Sequence, residues 1–238
     1  MTSVNPDLAA ARSRASFSPE TMTHWLDGGE MMTLQRRRLL RAVEADPLFA
    51  NTCDDIFADR VTRYRTALAR ARRVKELQAE MGLDEAGSLQ LRAVAAFDDP
   101  TTLHELMFVP NIEALCSPEQ QAEWLPRCRD WRVIGCYAQT EVGHGSNVRG
   151  IETTATFVPG ADAFELHSPT ETSTKFWPGS LGKTANHAMV IARLVLSGKD
   201  LGPHNFIVPL RDAEHRPLPG VKLGVGRIER PHSPLITS

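Results

Sequence analysis

The spacing of apolar residues changes near Asp130, and this change constrains the fold more than any other feature of the chain. Upstream, apolar residues recur every three or four positions, which predicts helices, the longest from about Ala58 to Met81. Downstream, short runs rich in β-branched and aromatic residues predict strands. These runs are Val133–Ala138, Thr153–Phe157, Ala163–His167, Ala188–Leu196 and Phe206–Leu210.

No helical segment separates the predicted strands, so the expected sheet is mostly antiparallel and not a βαβ array. The expected fold class is α+β, with an N-terminal helical domain followed by a β domain. The predicted boundaries are 1–130 for the helical domain, 131–226 for the β domain and 227–238 for a divergent tail rich in Pro and Ser.

Capping residues mark two of the predicted helices. Ser18 is an expected N-cap, and Gly28 is expected to end the helix that follows. Ser117 and Gln120 have the spacing of a capping box. Pro126 predicts that this second helix is short, because proline interrupts the helical hydrogen bonds.

Composition excludes several classes of partner. The 238 residues carry a net charge of −2, which recruits neither nucleic acid nor an anionic membrane. No apolar run approaches the ~20 residues that span a bilayer. The N-terminus lacks the apolar core of a signal peptide. No C-x-x-C pair or His cluster forms a metal pattern, and we expect reduced thiols at Cys53, Cys116, Cys128 and Cys136.

The long predicted helix is rich in basic residues, and two interpretations stay open for them. They could bind an anion such as a nucleotide phosphate, or they could form a solvated helix face. No interleaved aromatic residues favour nucleic acid. The residues are Arg60, Arg63, Arg65, Arg70, Arg72, Arg73 and Lys75.

Several short motifs fail when their full spacing is checked. Gly182-Lys183-Thr184 resembles the end of a P-loop, but Trp177 stands where that loop needs glycine. Gly143-His144-Gly145 resembles a dinucleotide fingerprint, but Val148 replaces its third glycine. No second metal histidine follows the His104-Glu105 pair, and no G-x-S-x-G elbow is present. Nucleotide hydrolase, Rossmann oxidoreductase, zinc hydrolase and serine esterase are therefore disfavoured.

Two segments concentrate the remaining polar and aromatic chemistry. Residues 137–150 read Y-A-Q-T-E-V-G-H-G-S-N-V-R-G, where glycines allow close backbone approach and Thr140 and Ser146 supply hydroxyls. Residues 174–183 read T-K-F-W-P-G-S-L-G-K, an aromatic pair followed by a Pro-Gly turn. From the residues alone, a ligand site and a glycine-rich turn over a core are equally good interpretations.

The first segment resembles the Y-A-Q-T-E-x-G-H-G signature of peroxisomal acyl-CoA oxidases. The likeness continues in order through residues 5–224, including E-T-T-A-T at 152–156, W-P-G at 177–179 and F-I-V-P at 206–209. It implies an N-terminal helical domain, a central β domain that binds FAD, and further helical domains that this chain lacks. It also implies oxidation of a fatty acyl-CoA to trans-2-enoyl-CoA, with reduction of O₂ to H₂O₂.

Residue roles follow from the resemblance position by position. Thr140 matches the FAD-contacting threonine, Gly179 the glycine that contacts the cofactor, and Trp177 the aromatic residue beside the isoalloxazine. Ser146 matches a serine near the CoA arm. Hydroxyls and amides at these places would stabilise negative charge on the reduced flavin.

No catalytic residue is assigned within the chain. In the family the base that removes the α-proton is a glutamate of a later helical region, expected beyond this C-terminus. Glu141, Glu152 and Glu165 are candidate substitutes, but none matches the family base.

Two alternatives to an oxidase stay open. One is an acyl-CoA dehydrogenase, although the G-H-G and W-P-G motifs favour the oxidase. The other is a non-catalytic fragment that binds FAD or acyl-CoA, forms a homodimer or pairs with a full-length subunit. The family resemblance implies the peroxisome, but Thr237-Ser238 is not an S-K-L address, so the chain alone is expected to be cytosolic.

Overall fold

The computed structural model describes residues 5–50 and 54–224, which form two compact units that divide between Asp99 and Pro100. The helical domain predicted over 1–130 thus includes the first unit and the helices of the second. The tail predicted over 227–238 lies outside the described residues. In the described part of the chain, none of the helices is long and apolar enough to cross a bilayer.

The first unit is helical, as predicted. Ser18 caps its second helix by accepting a hydrogen bond from the Thr21 amide at 3.4 Å, and Gly28 ends that helix with a φ of +90°. The helices are α1 (Pro6–Ser13), α2 (Pro19–Asp27), α3 (Glu30–Glu44), α4 (Asp54–Phe57), α5 (Arg60–Glu80) and α6 (Glu85–Ala95). A buried apolar cluster of α3, α5 and α6 stabilises the unit.

The basic residues of α5 are largely paired with carboxylates. Arg73 alone contacts three of them, and one of its nitrogens lies 2.6 Å from Asp46. These pairs neutralise much of the positive charge, which favours the solvated helix face over an anion site. The pairs are Arg63–Asp98, Arg70–Asp55, Arg72–Glu76 and Arg73–Asp46.

The second unit begins with helices. A π-helical segment, His104–Phe108, leads into α7 (Val109–Leu115), and α8 covers Pro118–Arg129. The capping box of Ser117 and Gln120 is present as predicted. The prediction that Pro126 makes this helix short is wrong, because α8 continues for three residues beyond that proline. Burial of Leu125 and Cys128 on one face of α8 stabilises this last part of the helix.

The sheet of the second unit has five strands: β1 (Gly135–Ala138), β2 (Thr154–Val158), β3 (Ala163–His167), β4 (His187–Leu196) and β5 (Lys199–Pro209). The sheet is built around β4. Strand β5 pairs along one edge of β4, and β1 and β2 follow one another along the other edge. Strand β3 pairs with β2.

The order of helices and then strands is confirmed, and so is the mainly antiparallel pairing, but the sheet is mixed and not purely antiparallel. The β1–β4 and β2–β4 pairs are parallel, whereas β2–β3 and β4–β5 are antiparallel. Parallel pairing needs a long connection, which is most often a helix. Here the irregular segments 139–153 and 168–186 provide that length. Because these connections contain no long helix, the sequence pattern does not indicate the parallel pairs.

The core of the second unit lies on both sides of β4. Ala188, Val190 and Ala192 belong to a cluster with β1, β2 and β5. Met189 packs on the other side against the helices, in a cluster with Phe108 and Ile112. Alternate residues of β4 thus enter different clusters, as the twofold period of a strand requires. One irregular segment follows β1, and the other leads into β4.

Candidate functional site

The two segments singled out in the sequence lie side by side. The β1–β2 loop (139–153) and the β3–β4 loop (168–186) exchange three backbone hydrogen bonds of 2.9 Å, listed here from amide to carbonyl: Phe176 to Thr140, Val142 to Thr174, and Gly143 to Thr172. The sheet therefore places Thr140 next to the aromatic pair that begins at Phe176.

A buried ion pair joins the two loops. The Lys175 ammonium lies 3.0 Å from a carboxylate oxygen of Glu141, and both side chains are fully buried. The same ammonium donates to the carbonyl oxygens of Gln139 at 3.1 Å and Ile191 at 2.6 Å. Ile191 belongs to β4, so this lysine connects both loops to the central strand. Burial lowers the pKa of Lys175, and the negative charge of Glu141 opposes that effect.

Glu141 is held by further donors on its other side. Its carboxylate accepts from the amides of Glu152 at 2.8 Å and Thr153 at 2.9 Å, and from the Thr153 hydroxyl at 2.6 Å. Burial alone would raise the pKa of Glu141. The hydrogen bonds and Lys175 outweigh it, so the pKa lies below its ordinary value. Glu141 is therefore an ionised structural group.

Trp177 and Phe176 form an exposed aromatic surface. Their rings stack with centroids 5.7 Å apart, and Trp177 is 76% exposed. The backbone of Trp177 has a φ of +53°, in the left-handed region that a bulky residue rarely adopts. A strained, exposed tryptophan is typical of a position that a ligand covers.

Gly179 lies in the turn after Trp177 and is exposed. A Cβ added there would come within 2.7 Å of a methyl carbon of Leu103. Arg211 stabilises the residues after this turn, because its guanidinium donates to the carbonyls of Leu181 at 3.1 Å and Ala185 at 3.0 Å. Packing in the protein alone therefore already favours glycine at this position.

The two predicted hydroxyl groups lie in different parts of the β1–β2 loop. Thr140 is half-buried beside the aromatic pair, and Ser146 is exposed further along. Among the described residues, neither hydroxyl has a hydrogen-bond partner, so both can bind a ligand. The Thr140 carbonyl accepts a hydrogen bond from the Phe176 amide, whereas among the described residues no hydrogen bond joins Ser146 to the segment that carries Trp177 and Gly179.

A second polar cluster holds the part of the loop that carries Ser146. One oxygen of Glu152 lies 2.8 Å from a ring nitrogen of His144, and Thr170 and Thr172 also donate to this carboxylate. The Thr170 hydrogen bond, and then the one from His144, lowers the pKa of Glu152. Glu152 thus holds the loop in place.

The sequence reasoning missed Lys175 as part of the site. It treated Glu141 as a possible base and gave no role to the lysine of the aromatic segment. A usable signal was present, because Glu141 is next to Thr140 and Lys175 is two residues before Trp177. A charge in a loop that packs against a sheet needs a partner.

Comparison with known proteins places these features in a family. Residues 18–134 match the family model described as acyl-coenzyme A oxidase N-terminal. Over 225 residues the chain is 42% identical to peroxisomal acyl-coenzyme A oxidase 1 of Homo sapiens. That alignment covers 93% of this chain and 34% of the human protein, so the chain spans about a third of the length of such relatives.

Solved structures agree with this assignment. An acyl-CoA oxidase from tomato (Lycopersicon esculentum) is 41% identical with a TM-score of 0.87, over 92% of this chain and 34% of the tomato chain. Acyl-CoA oxidase-2 from Caenorhabditis elegans, bound with FAD, ascaroside-CoA and ATP, is 36% identical with a TM-score of 0.84, over 94% of this chain and 35% of that chain. Both resemblances include the helices and the sheet, and the chain therefore belongs to the acyl-CoA oxidase family and corresponds to the N-terminal third of its full-length members.

Proposed function

We propose that this chain forms the flavin-binding and acyl-CoA-binding part of an FAD-dependent acyl-CoA oxidase. The reaction converts a fatty acyl-CoA and O₂ into trans-2-enoyl-CoA and H₂O₂, so that two hydrogens leave the acyl chain. The observation that carries the proposal is the pair of joined loops, which present Thr140, Trp177 and Gly179 together. The FAD bound by the C. elegans relative supports the same cofactor here.

The residues fit a flat, polar-edged heterocycle. The unpartnered hydroxyl of Thr140 can donate to the polar edge of the ring system. Trp177 and Phe176 can cover its apolar surface and exclude water. The aromatic surface that is exposed in the protein alone would then be buried. Gly179 lets the backbone amides of its turn approach closely. When bound, FAD would accept a hydride from the acyl chain and pass the electrons to O₂.

Ser146 is the proposed contact for the CoA arm. Its exposed hydroxyl lies on a loop held by the His144–Glu152 pair, so binding would need little reorganisation of the backbone. Fatty acyl-CoA and O₂ are the proposed small-molecule partners, with a second copy of the chain or a full-length subunit as the proposed protein partner. The names of the mammalian relatives support the peroxisome as the compartment.

None of the three glutamates considered as a base is proposed to remove the α-proton. Glu141 is buried and ion-paired with Lys175, and Glu152 is hydrogen-bonded to His144 and two threonines. Glu165 is exposed on β3, where it pairs with Thr156 of β2, and it belongs to neither loop. A general base must be free to reach the proton that it removes. We therefore propose that this chain supplies binding residues and that the base comes from another part of the full-length protein.

The proposal is tested by titrating FAD into the purified chain and following flavin fluorescence. Thr140→Val keeps the shape of the side chain and removes the hydroxyl, so FAD affinity should fall about two- to tenfold. Thr156→Val is the matched control, because Thr156 is a half-buried threonine on β2. Absence of saturable FAD binding by the wild-type chain would refute the proposed function. Equal affinities of the two variants would refute the role of Thr140.

A further inference from the structure

The ammonium of Lys175 holds the backbone on both sides of Thr140. Its acceptors are the Gln139 carbonyl oxygen, the Glu141 carboxylate and the Ile191 carbonyl oxygen. A lysine ammonium has three N–H donors, so three acceptors satisfy all of them. Two of these acceptors flank Thr140 in the sequence, and the third lies on β4. The lysine thereby attaches Thr140 to the central strand of the sheet.

The same lysine also fixes the aromatic pair. Lys175 directly precedes Phe176 and Trp177, and the Phe176 amide donates to the Thr140 carbonyl at 2.9 Å. Two of the proposed flavin contacts, Thr140 and Trp177, therefore lie within two residues of a member of the ion pair. Displacement of the ammonium would loosen the two loops together.

Stability alone does not explain a buried ion pair at this place. Desolvation of two charges costs about as much as their attraction returns, and well-packed apolar residues can often replace such a pair without loss of stability. Apolar residues could not, however, donate to the carbonyls of Gln139 and Ile191. We infer that Lys175 and Glu141 form a positioning pair that fixes Thr140 and Trp177 for the flavin. The inference rests on the proposed function, because that function names Thr140 and Trp177 as flavin contacts.

The first test uses amide hydrogen exchange in the cofactor-free chain. Lys175→Met removes the ammonium, and the amides of Val142, Gly143 and Phe176, which cross between the loops, should exchange about tenfold faster or more. Amides of the β4–β5 ladder should be accelerated less, because they report only the overall loss of stability. The matched control is Ile112→Ala, which removes a fully buried side chain from the helical cluster of the same unit. This variant should lower the stability of the chain, and the exchange rates of the loop amides should change no more than those of the β4–β5 ladder.

The second test separates positioning from stability. Lys175→Met leaves Glu141 as a buried charge without its lysine, whereas the double variant Glu141→Gln with Lys175→Met removes both charges. We expect the double variant to recover the midpoint of unfolding, because no unpaired charge is left. Its FAD affinity should stay about tenfold or more below that of the wild-type chain, because the backbone on both sides of Thr140 has lost its donors.

The outcomes distinguish the inference from the proposed function. Unchanged exchange at Val142, Gly143 and Phe176 in both lysine variants would overturn the positioning pair, whatever the chain binds. Recovery of FAD affinity together with stability in the double variant would overturn it as well, since the pair would then act on stability alone. Failure of the wild-type chain to bind FAD would instead refute the proposed function.

Discussion

The ring of Phe108 lies against the backbone of Gly135, where a Cβ would overlap its ring atoms. Phe108 ends the π-helical segment and is fully buried, and Gly135 begins β1. A second link lies beside this contact, because a ring nitrogen of His104 accepts a hydrogen bond from the Gly135 amide at 3.1 Å. The helices of the second unit thus meet the sheet at a position that only glycine fits.

Gly135→Ala is therefore expected to destabilise the chain by about 1–3 kcal/mol, because the buried ring of Phe108 has little room to move. Chemical denaturation followed by circular dichroism measures the effect. Gly160→Ala is the control, since nothing lies within 4 Å of the added Cβ there. It should change the free energy of unfolding by less than about 0.5 kcal/mol. Equal effects of the two substitutions would contradict the close contact.

His187 should make stability depend on pH. Burial, and then the charge of Arg127, lowers the pKa of His187 from 6.5 to about 4. The unfolded chain therefore binds a proton at higher pH than the folded chain does, and stability falls as the pH drops from 6.5 to about 4. The loss is on the order of 2–3 kcal/mol.

Comparison with His187→Gln isolates this contribution from that of the carboxylates. The difference in unfolding free energy between the wild-type chain and the variant should change across this pH range and become constant below it. A difference that does not vary with pH would show that His187 titrates at its ordinary value.

Substitutions at Gly179 need a compensating change. Gly179→Ala brings a Cβ within 2.7 Å of Leu103, so a loss of FAD binding could come from packing. Adding Leu103→Ala removes the methyl groups responsible. If Gly179 serves the cofactor, the double variant should bind FAD more weakly than Leu103→Ala alone. Equal affinities of these two proteins would assign the glycine to packing only.

The FAD-loaded chain is expected to release very little peroxide from palmitoyl-CoA. Glu141 and Glu152 are committed to Lys175 and His144, and a positioned base is worth roughly 10²–10⁴-fold in rate. A peroxidase-coupled assay measures the release. Turnover in the usual enzyme range of about 1–10³ per second would show that a residue of this chain acts as the base. Loss of that turnover in Glu165→Gln would then identify it.

The sequence was most informative where local rules decide the structure. The cap at Ser18 and the capping box of Ser117 and Gln120 depend on residues within one helical turn, and all were predicted. The strands were recognised because their period differs from that of a helix, although β5 begins at Lys199 and not at Phe206 as predicted. The sheet order was not, because pairing of β1 and β2 with β4 depends on long irregular loops that leave no periodic signal.

The same contrast between local and distant contacts applies to the candidate site. Thr140, Trp177 and Gly179 were found from a resemblance in the order of motifs, and their adjacency was not deduced from spacing. Lys175 was missed because its importance depends on acceptors that are distant in sequence, above all Ile191. The closeness of Gly179 to Leu103 was equally hard to predict, since it joins the helical start of the second unit to the loop before β4.

The left-handed backbone of Trp177 also bears on attempts to make this protein more robust. A non-glycine residue with a φ of +53° costs on the order of 1–3 kcal/mol, and glycine or asparagine would relieve much of that cost. Replacing the exposed indole would improve solubility as well. A laboratory selection for thermal resistance or high expression would therefore tend to discard Trp177 first, and ligand binding must be included among the selected traits to retain it.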